Sequence, residues 1–271
     1  MKNQLLQKKK IIVFFFFLLI LPLQSNSSFN IKFKERIETF ILPNNLKVIL
    51  LEDKRNPIII SSIWYKVGSS YEKKGITGIS HVLEHMMFKG TDKVKPGEFS
   101  KIIKKLGGTD NAFTGRDFTG YYQKLHKKYI ETSLTLESDR MKNLKLDINE
   151  LEREINVVKE ERRSRVDDRP VAKAFEKSLI QAFGYNGYGI PIIGTHSDLN
   201  NLTNTVLYKW YKKYYSPNNS ILIIAGDFNR IKIKELIKKY FSSIKNENIN
   251  QNKILAFKKI KNFKNITFDD F

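Results

Sequence analysis

Apolar and polar positions alternate with a period of two in several short stretches of this chain and with a period near 3.6 in longer ones, and the change of period marks out its elements. Residues 36–42 and 46–52 read as a hairpin around Pro43-Asn44-Asn45, and 58–67 adds a third strand. A helix follows and ends near Gly90; Pro96 opens another, closed by Gly107-Gly108. Residues 110–114 and 119–125 form two strands joined by a Gly115-Arg116-Asp117 turn. Helices are expected at 129–144, 147–165 and 171–183, then, past a glycine-rich loop, a helix at 203–215, a buried strand at 220–225 and a helix at 231–241. Strands and helices in this mixture predict an α+β fold, a mostly antiparallel sheet with helices packed on one face, in one domain spanning 29–245 without an internal repeat.

Two of the helices carry polar residues where burial is expected. In His81-Val82-Leu83-Glu84-His85, a turn of about 100° per residue puts His81, Glu84 and His85 within one arc, while Ile79, Val82, Leu83, Met86 and Met87 fill the opposite side. A polar triad on a helix otherwise suited to burial needs a partner that offsets its desolvation, and a divalent metal is one. The five residues alone leave open the blander alternative of a surface helix that carries two histidines. A catalytic zinc site usually takes three protein ligands, and cysteine is excluded because the chain has none. The best donor of a third is 147–165, rich in helix formers and free of Gly and Pro. With Glu154 as origin, Leu151, Ile155, Val157 and Val158 share a side with Glu154 and Glu161, whereas Glu152 and Glu160 point away. Arg162 falls near the same arc. The seven-residue separation stacks Glu154 and Glu161 on one face, which suits one ligand and one supporting carboxylate. The bland alternative for either is a solvated or ion-paired residue. His126, at the end of a basic strand, and His196, in a Gly-Pro-rich loop, read as surface or packing residues.

The motif H-x-x-E-H is the inverzincin signature. With Glu154-Ile-Asn-Val-Val-Lys-Glu-Glu161 downstream, the run VVKEERRSRVDDRP at 157–170, GGTDNAFT at 107–114, DFTGYY at 117–122, GIPIIG at 189–194 and YSPNN at 215–219, the chain resembles the family of pitrilysin, insulin-degrading enzyme and mitochondrial processing peptidase, from about residue 37 to residue 245. The resemblance implies a zinc metalloendopeptidase that hydrolyses peptides or unfolded proteins with one zinc ion per chain. It implies that His81, His85 and Glu161 bind the ion, that Glu84 is the general base, and that Glu154 supports the site without ligating. It also implies that the first strand of the 110–125 hairpin is an edge to which substrate adds as a further strand, with Asn111 and Ala112 as the corresponding substrate-binding positions; without the resemblance, an ordinary hairpin is the simpler reading. Family members commonly pair such a catalytic half with a similarly folded half that lacks zinc and encloses the substrate. Residues 246–271 are accordingly read as a linker toward a missing second half or partner subunit, on which full activity is expected to depend. Two other classes fit less well. A catalytically silent subunit predicts loss of motif residues, all of which are intact, and the H-x-x-E-H enzyme S-ribosylhomocysteine lyase needs a cysteine.

Composition changes the picture at the edges. Residues 1–28, with Lys8-Lys9-Lys10 ahead of an apolar run interrupted by Pro22, have the shape of a secretory signal peptide or signal anchor, which predicts export to the periplasm of a Gram-negative-type bacterium or anchoring to the inner membrane. The net charge of +20 suggests nucleic acid, yet the lysines are spread over many helices and accompany abundant Asn and Ile, a compositional bias; no nucleic-acid partner is expected, and membrane association is expected only through the N-terminal segment.

Overall fold

A computed structural model describes residues 36–247; the signal at 1–28 and all but the first two residues of the 246–271 linker lie outside the described residues. Strands β1 (Ile37–Ile41), β2 (Lys47–Glu52), β3 (Ile58–Tyr65), β4 (Thr109–Thr114), β5 (Thr119–His126) and β6 (Ser220–Gly226) form one sheet in the order β1-β2-β6-β3-β5-β4. All neighbours are antiparallel except β2 and β6. Consecutive strands prefer to be neighbours, but β6 is inserted between β2 and β3 and pairs with both.

Period-two alternation decides which face is covered. Val48, Leu50, Ile59, Ile63, Tyr121, Leu222 and Ile224 are buried under the helices, whereas their neighbours Ile58 and Ile60 on the other face are more than a third exposed. The helices are α1 (Ile79–Met86), α2 (Glu98–Lys105), α3 (Ile130–Asn143), α4 (Ile148–Arg162), α5 (Pro170–Phe183), α6 (His196–Asn200), α7 (Asn204–Tyr214) and α8 (Arg230–Phe241). Asp147, Thr203 and Asn229 cap α4, α7 and α8 by accepting hydrogen bonds from first-turn amides. The α+β fold with helices on one face is therefore as expected. None of the helices among the described residues is long and apolar enough to cross a membrane.

Three details differ from the sequence reading. The helix expected to reach Arg165 is α-helical only to Arg162 and then widens into a π turn over Arg163–Asp167, just ahead of Pro170. Val157, expected inward, is half exposed, while Val158 is fully buried. At about 100° per residue the buried centre of α4 lies near Leu151, Val158 and Ile155, which puts Val157 on its rim and Arg162 near its middle. His196 begins the short helix α6, where a loop was expected, capped by Thr195.

Candidate metal centre

α1 is almost wholly buried on both its polar and apolar sides: Val82, Leu83 and Met86 have no exposure, each such burial contributing about 1.5–3 kcal/mol, and only His85 of its eight residues is more than marginally accessible. Its first turn is anchored by Glu72, whose carboxylate accepts from the amides of Gly78 (2.7 Å) and Ser80 (2.9 Å). Gly78 enters the helix at φ 86°, a conformation that glycine alone adopts freely.

Across from α1, the end of α4 presents Glu161. Its Oε1 lies 3.7 Å from Nε2 of His81 and its Oε2 3.5 Å from Nε2 of His85. These separations exceed ordinary hydrogen bonds. One falls within and the other just outside the spacing of about 3.3–3.6 Å expected between two atoms that each lie about 2.0–2.2 Å from a tetrahedral zinc ion. One ligand atom from each of the three residues lies within 4.8 Å of the others, the one such grouping of three among the described residues. The three side chains can hold a metal ion. The other nitrogen of His85, Nδ1, meets Glu154 Oε2 at 2.9 Å, and Glu154 Oε1 is paired with Lys89 at 2.5 Å. An imidazole held in this way keeps Nε2 pointed at the shared centre. Nδ1 of His81 is buried without a partner. Arg165 at present reaches Glu161 Oε1 at 2.8 Å, through a side chain that is mostly exposed.

Burial and the nearby carboxylates set the electrostatics of the cluster. Burial, helped by His85, pulls the His81 imidazole down to about 4. Burial also opposes charge on His85, but the hydrogen bond to Glu154 and the nearby carboxylates of Glu161 and Glu84 outweigh it and raise that imidazole to about 9. The neighbouring His85 imidazole in turn lowers Glu161. Burial raises Glu84 above the usual carboxylate range, against the opposing hydroxyl of Thr114, which donates to Glu84 Oε2 at 2.5 Å. A buried carboxyl with a raised pKa, one turn after His81 and directly before His85, is suited to exchanging a proton beside the cluster.

β4 is the edge strand of the sheet, paired on one side by β5 only. Asn111 on it is exposed, with Oδ1 accepting from the Ala112 amide, and Ala112 packs against the core. Its last residue, Thr114, reaches Glu84, so the edge runs beside α1. His126 caps a short 3-10 turn and His196 pairs with Asp167; neither belongs to the cluster. The sequence reading passed over Thr114, Glu72 and Lys89. Thr114 sat inside the NAFT stretch, but nothing in spacing links it to a carboxylate 30 residues earlier.

Residues 47–196 match the family described as Insulinase (Peptidase family M16), and residues 201–268 match the Peptidase M16 inactive domain. The chain is 39% identical over 210 residues to the zinc protease PqqE of Helicobacter pylori, covering 77% of this chain and 47% of that protein. It is 31% identical to an uncharacterized zinc protease, YmxG, of Bacillus subtilis, covering 76% and 50%. Among solved structures, a protease from Helicobacter pylori superposes with a TM-score of 0.76 at 37% identity, over 82% of this chain and 53% of the other. The first half of the periplasmic protease PqqL from Escherichia coli shares the fold, with a TM-score of 0.75 at 22% identity over 83% and 49%. The chain thus spans about half the length of the curated relatives it matches.

Proposed function

The chain belongs to peptidase family M16, the insulinase family, and on that premise we propose that it is a zinc-dependent metallopeptidase acting on peptides or unfolded proteins. His81, His85 and Glu161 hold one zinc ion, Glu84 is the general base, and Glu154 orients His85. The observation that carries this reading is the convergence of two Nε2 atoms from one helix on the two oxygens of one carboxylate from another, at 3.7 and 3.5 Å. Zinc held by these three residues would supply Lewis-acid chemistry, polarising a peptide carbonyl and making water more acidic. The chain's own residues do the rest. Glu84 takes the proton from the attacking water and later delivers it to the leaving amine, so no other acid is needed. Thr114 fixes one oxygen of Glu84, leaving the other free to face the reaction. The exposed edge of β4 receives the substrate as an added strand at Asn111 and Ala112, which grips peptide backbone without demanding one sequence.

Metal content together with peptide hydrolysis, measured for the wild type and for Glu84→Gln, tests the assignment. An inert variant that keeps its zinc is the expected result; equal activity in both proteins removes Glu84 as the base.

A second element of the reading is partner dependence. The chain matches about half of each relative, and one structural neighbour is the first half of a longer protease. Residues 29–245 are proposed as a catalytic half that works fully only with a complementary half or subunit. Full hydrolysis by the purified chain alone counts against this. Export to the periplasm, or anchoring to the inner membrane, is proposed from the N-terminal composition.

A further inference from the structure

Arg162 is a charged residue in the middle of the buried face of α4, directly after Glu161, and it is only 8% exposed. Burying a guanidinium is costly unless its donors are met, so what they meet shows what the position is for. Nη1 donates to the carbonyl of Gly194 at 2.5 Å and to Glu176 Oε2 at 3.1 Å; Nη2 donates to Glu176 Oε1 at 2.7 Å and lies 3.2 Å from Asp167. Glu176 lies on α5 and Asp167 closes the π turn, so the fork ties three segments to the end of α4.

The Gly194 contact continues to α1. Gly194, at φ 84°, lies so close to the residues opening that helix that a Cβ on it would meet the Thr77 carbonyl at 2.4 Å, and a Cβ on Gly78 would meet the Ile193 carbonyl at 2.5 Å. Backbone therefore rests on backbone, with no side chain between to yield. The segment after Gly194 is fastened to the same loop: the Thr195 amide donates to Thr77 Oγ1, and Asp198 Oδ2 accepts from Thr77 Oγ1 (2.7 Å) and from the amides of Gly75 and Thr77. A continuous path runs from Glu161 through Arg162, Gly194 and Gly78 to the helix bearing His81 and His85.

We propose that Arg162 is a positioning residue for the metal centre: through Gly194 it sets the spacing between the carboxylate on α4 and the two imidazoles on α1. The proposal rests on the zinc-site reading above. Apolar packing between α1 and α4 is non-directional and resists sliding weakly. Zinc–ligand bonds tolerate only a few tenths of an ångström, about a fifth of the 1.5 Å rise of one helical residue. A directed fork from one helix to a rigid backbone seat on the other supplies the missing constraint. It also explains an arginine where the periodicity of α4 calls for an apolar residue.

The test is a double-mutant cycle on zinc affinity of the purified full chain, read by chelator competition, with circular dichroism and thermal unfolding of the metal-free proteins to show that each is folded. R162K keeps charge and stem but loses the fork. It is expected to weaken zinc binding about 10–100-fold, the usual effect of removing a group that orients a ligand. In a Glu161→Ala background, where there is no carboxylate to position, the same change is expected to cost less than about twofold. Gly194→Ala, which pushes the loop off Thr77 while leaving Arg162 its carboxylate partners, is expected to repeat this pattern and serves if R162K does not fold. Wild-type affinity in folded R162K, or an equal loss in both backgrounds, overturns the proposal. Unchanged affinity in Glu161→Ala alone would instead overturn the zinc-site reading.

Discussion

Two clusters of buried charge lie under the same sheet and have opposite characters. In one, Glu137 and Arg140 on α3, each 1% exposed, close a two-pronged pair at 2.8 and 2.6 Å. Gln123 donates to the same carboxylate and accepts from Ser133, while the guanidinium lies over the rings of Phe99 and Tyr121 at 4.3 and 4.5 Å. In the other, the Nε2 atoms of His81 and His85 and the carboxylate of Glu161 lie together at 3.7 and 3.5 Å, longer than ordinary hydrogen bonds, while an exposed Arg165 reaches Glu161 from outside. The difference teaches that burial of ionisable groups does not by itself mark a site. A cluster in which a guanidinium and a carboxylate answer each other directly is part of the frame, even with Arg140 Nη1 left without a partner; one in which two imidazole nitrogens and a carboxylate from separate helices face each other at more than hydrogen-bond distance can hold an additional ion.

Substitutions can break that contrast. The largest effect is expected from Glu84→Gln, about 10²–10⁴-fold in kcat on a peptide substrate with zinc content and unfolding midpoint unchanged, since in the proposed mechanism the carboxylate serves the reaction and not the frame. Glu137→Ala should do the reverse: leaving Arg140 buried and unpaired is expected to cost about 3–5 kcal/mol in urea denaturation of the metal-free protein. A much smaller loss would make the two clusters alike.

Glu72 is the intermediate case, a buried carboxylate met by amide donors but by no cation. Burial, with Asp198 adding to it, raises its pKa to about 8 despite those amides. The folded state then binds more protons than the unfolded one between about 4.5 and 8, so this group's contribution is complete at the acid end and is lost as pH rises through that window, at no more than about 1.4 kcal/mol per pH unit. Urea titrations across the window should show the decline, and Glu72→Gln should flatten it; an unchanged slope means that the helix-end amides hold Glu72 ionised throughout.

Smaller effects probe the support of the metal cluster. Glu154→Gln removes the charge that orients His85 and is expected to weaken zinc binding about 10–100-fold with little change in metal-free stability. Thr114→Val leaves Glu84 without its hydroxyl donor and is expected to lower kcat by about tenfold, in line with one hydrogen bond to a charged group, while zinc affinity stays put.

Much of the fold was legible along the chain because its rules are local. Period-two alternation in 58–65 and 119–126, the caps at Asp147 and Asn229, and the turn around Pro43-Asn44-Asn45 need only near neighbours to take effect. The same short-range geometry puts His81, Glu84 and His85 on one side of a single helix and stacks Glu154 with Glu161 on another. It also flagged Arg162 as an anomaly on a buried face without indicating its partners.

What the tertiary structure alone decided involves residues far apart in the chain. The insertion of β6 between β2 and β3, the reach of Thr114 to Glu84, the amides that Glu72 satisfies and the Arg162–Gly194–Gly78 path depend on which segments meet, and periodicity carries no information about that. Helical and strand repeats specify the direction in which a side chain leaves its own backbone; the distance to a partner on another element is set by packing of the whole core, and it is that distance, a few ångströms between two nitrogens and a carboxylate, on which metal chemistry depends.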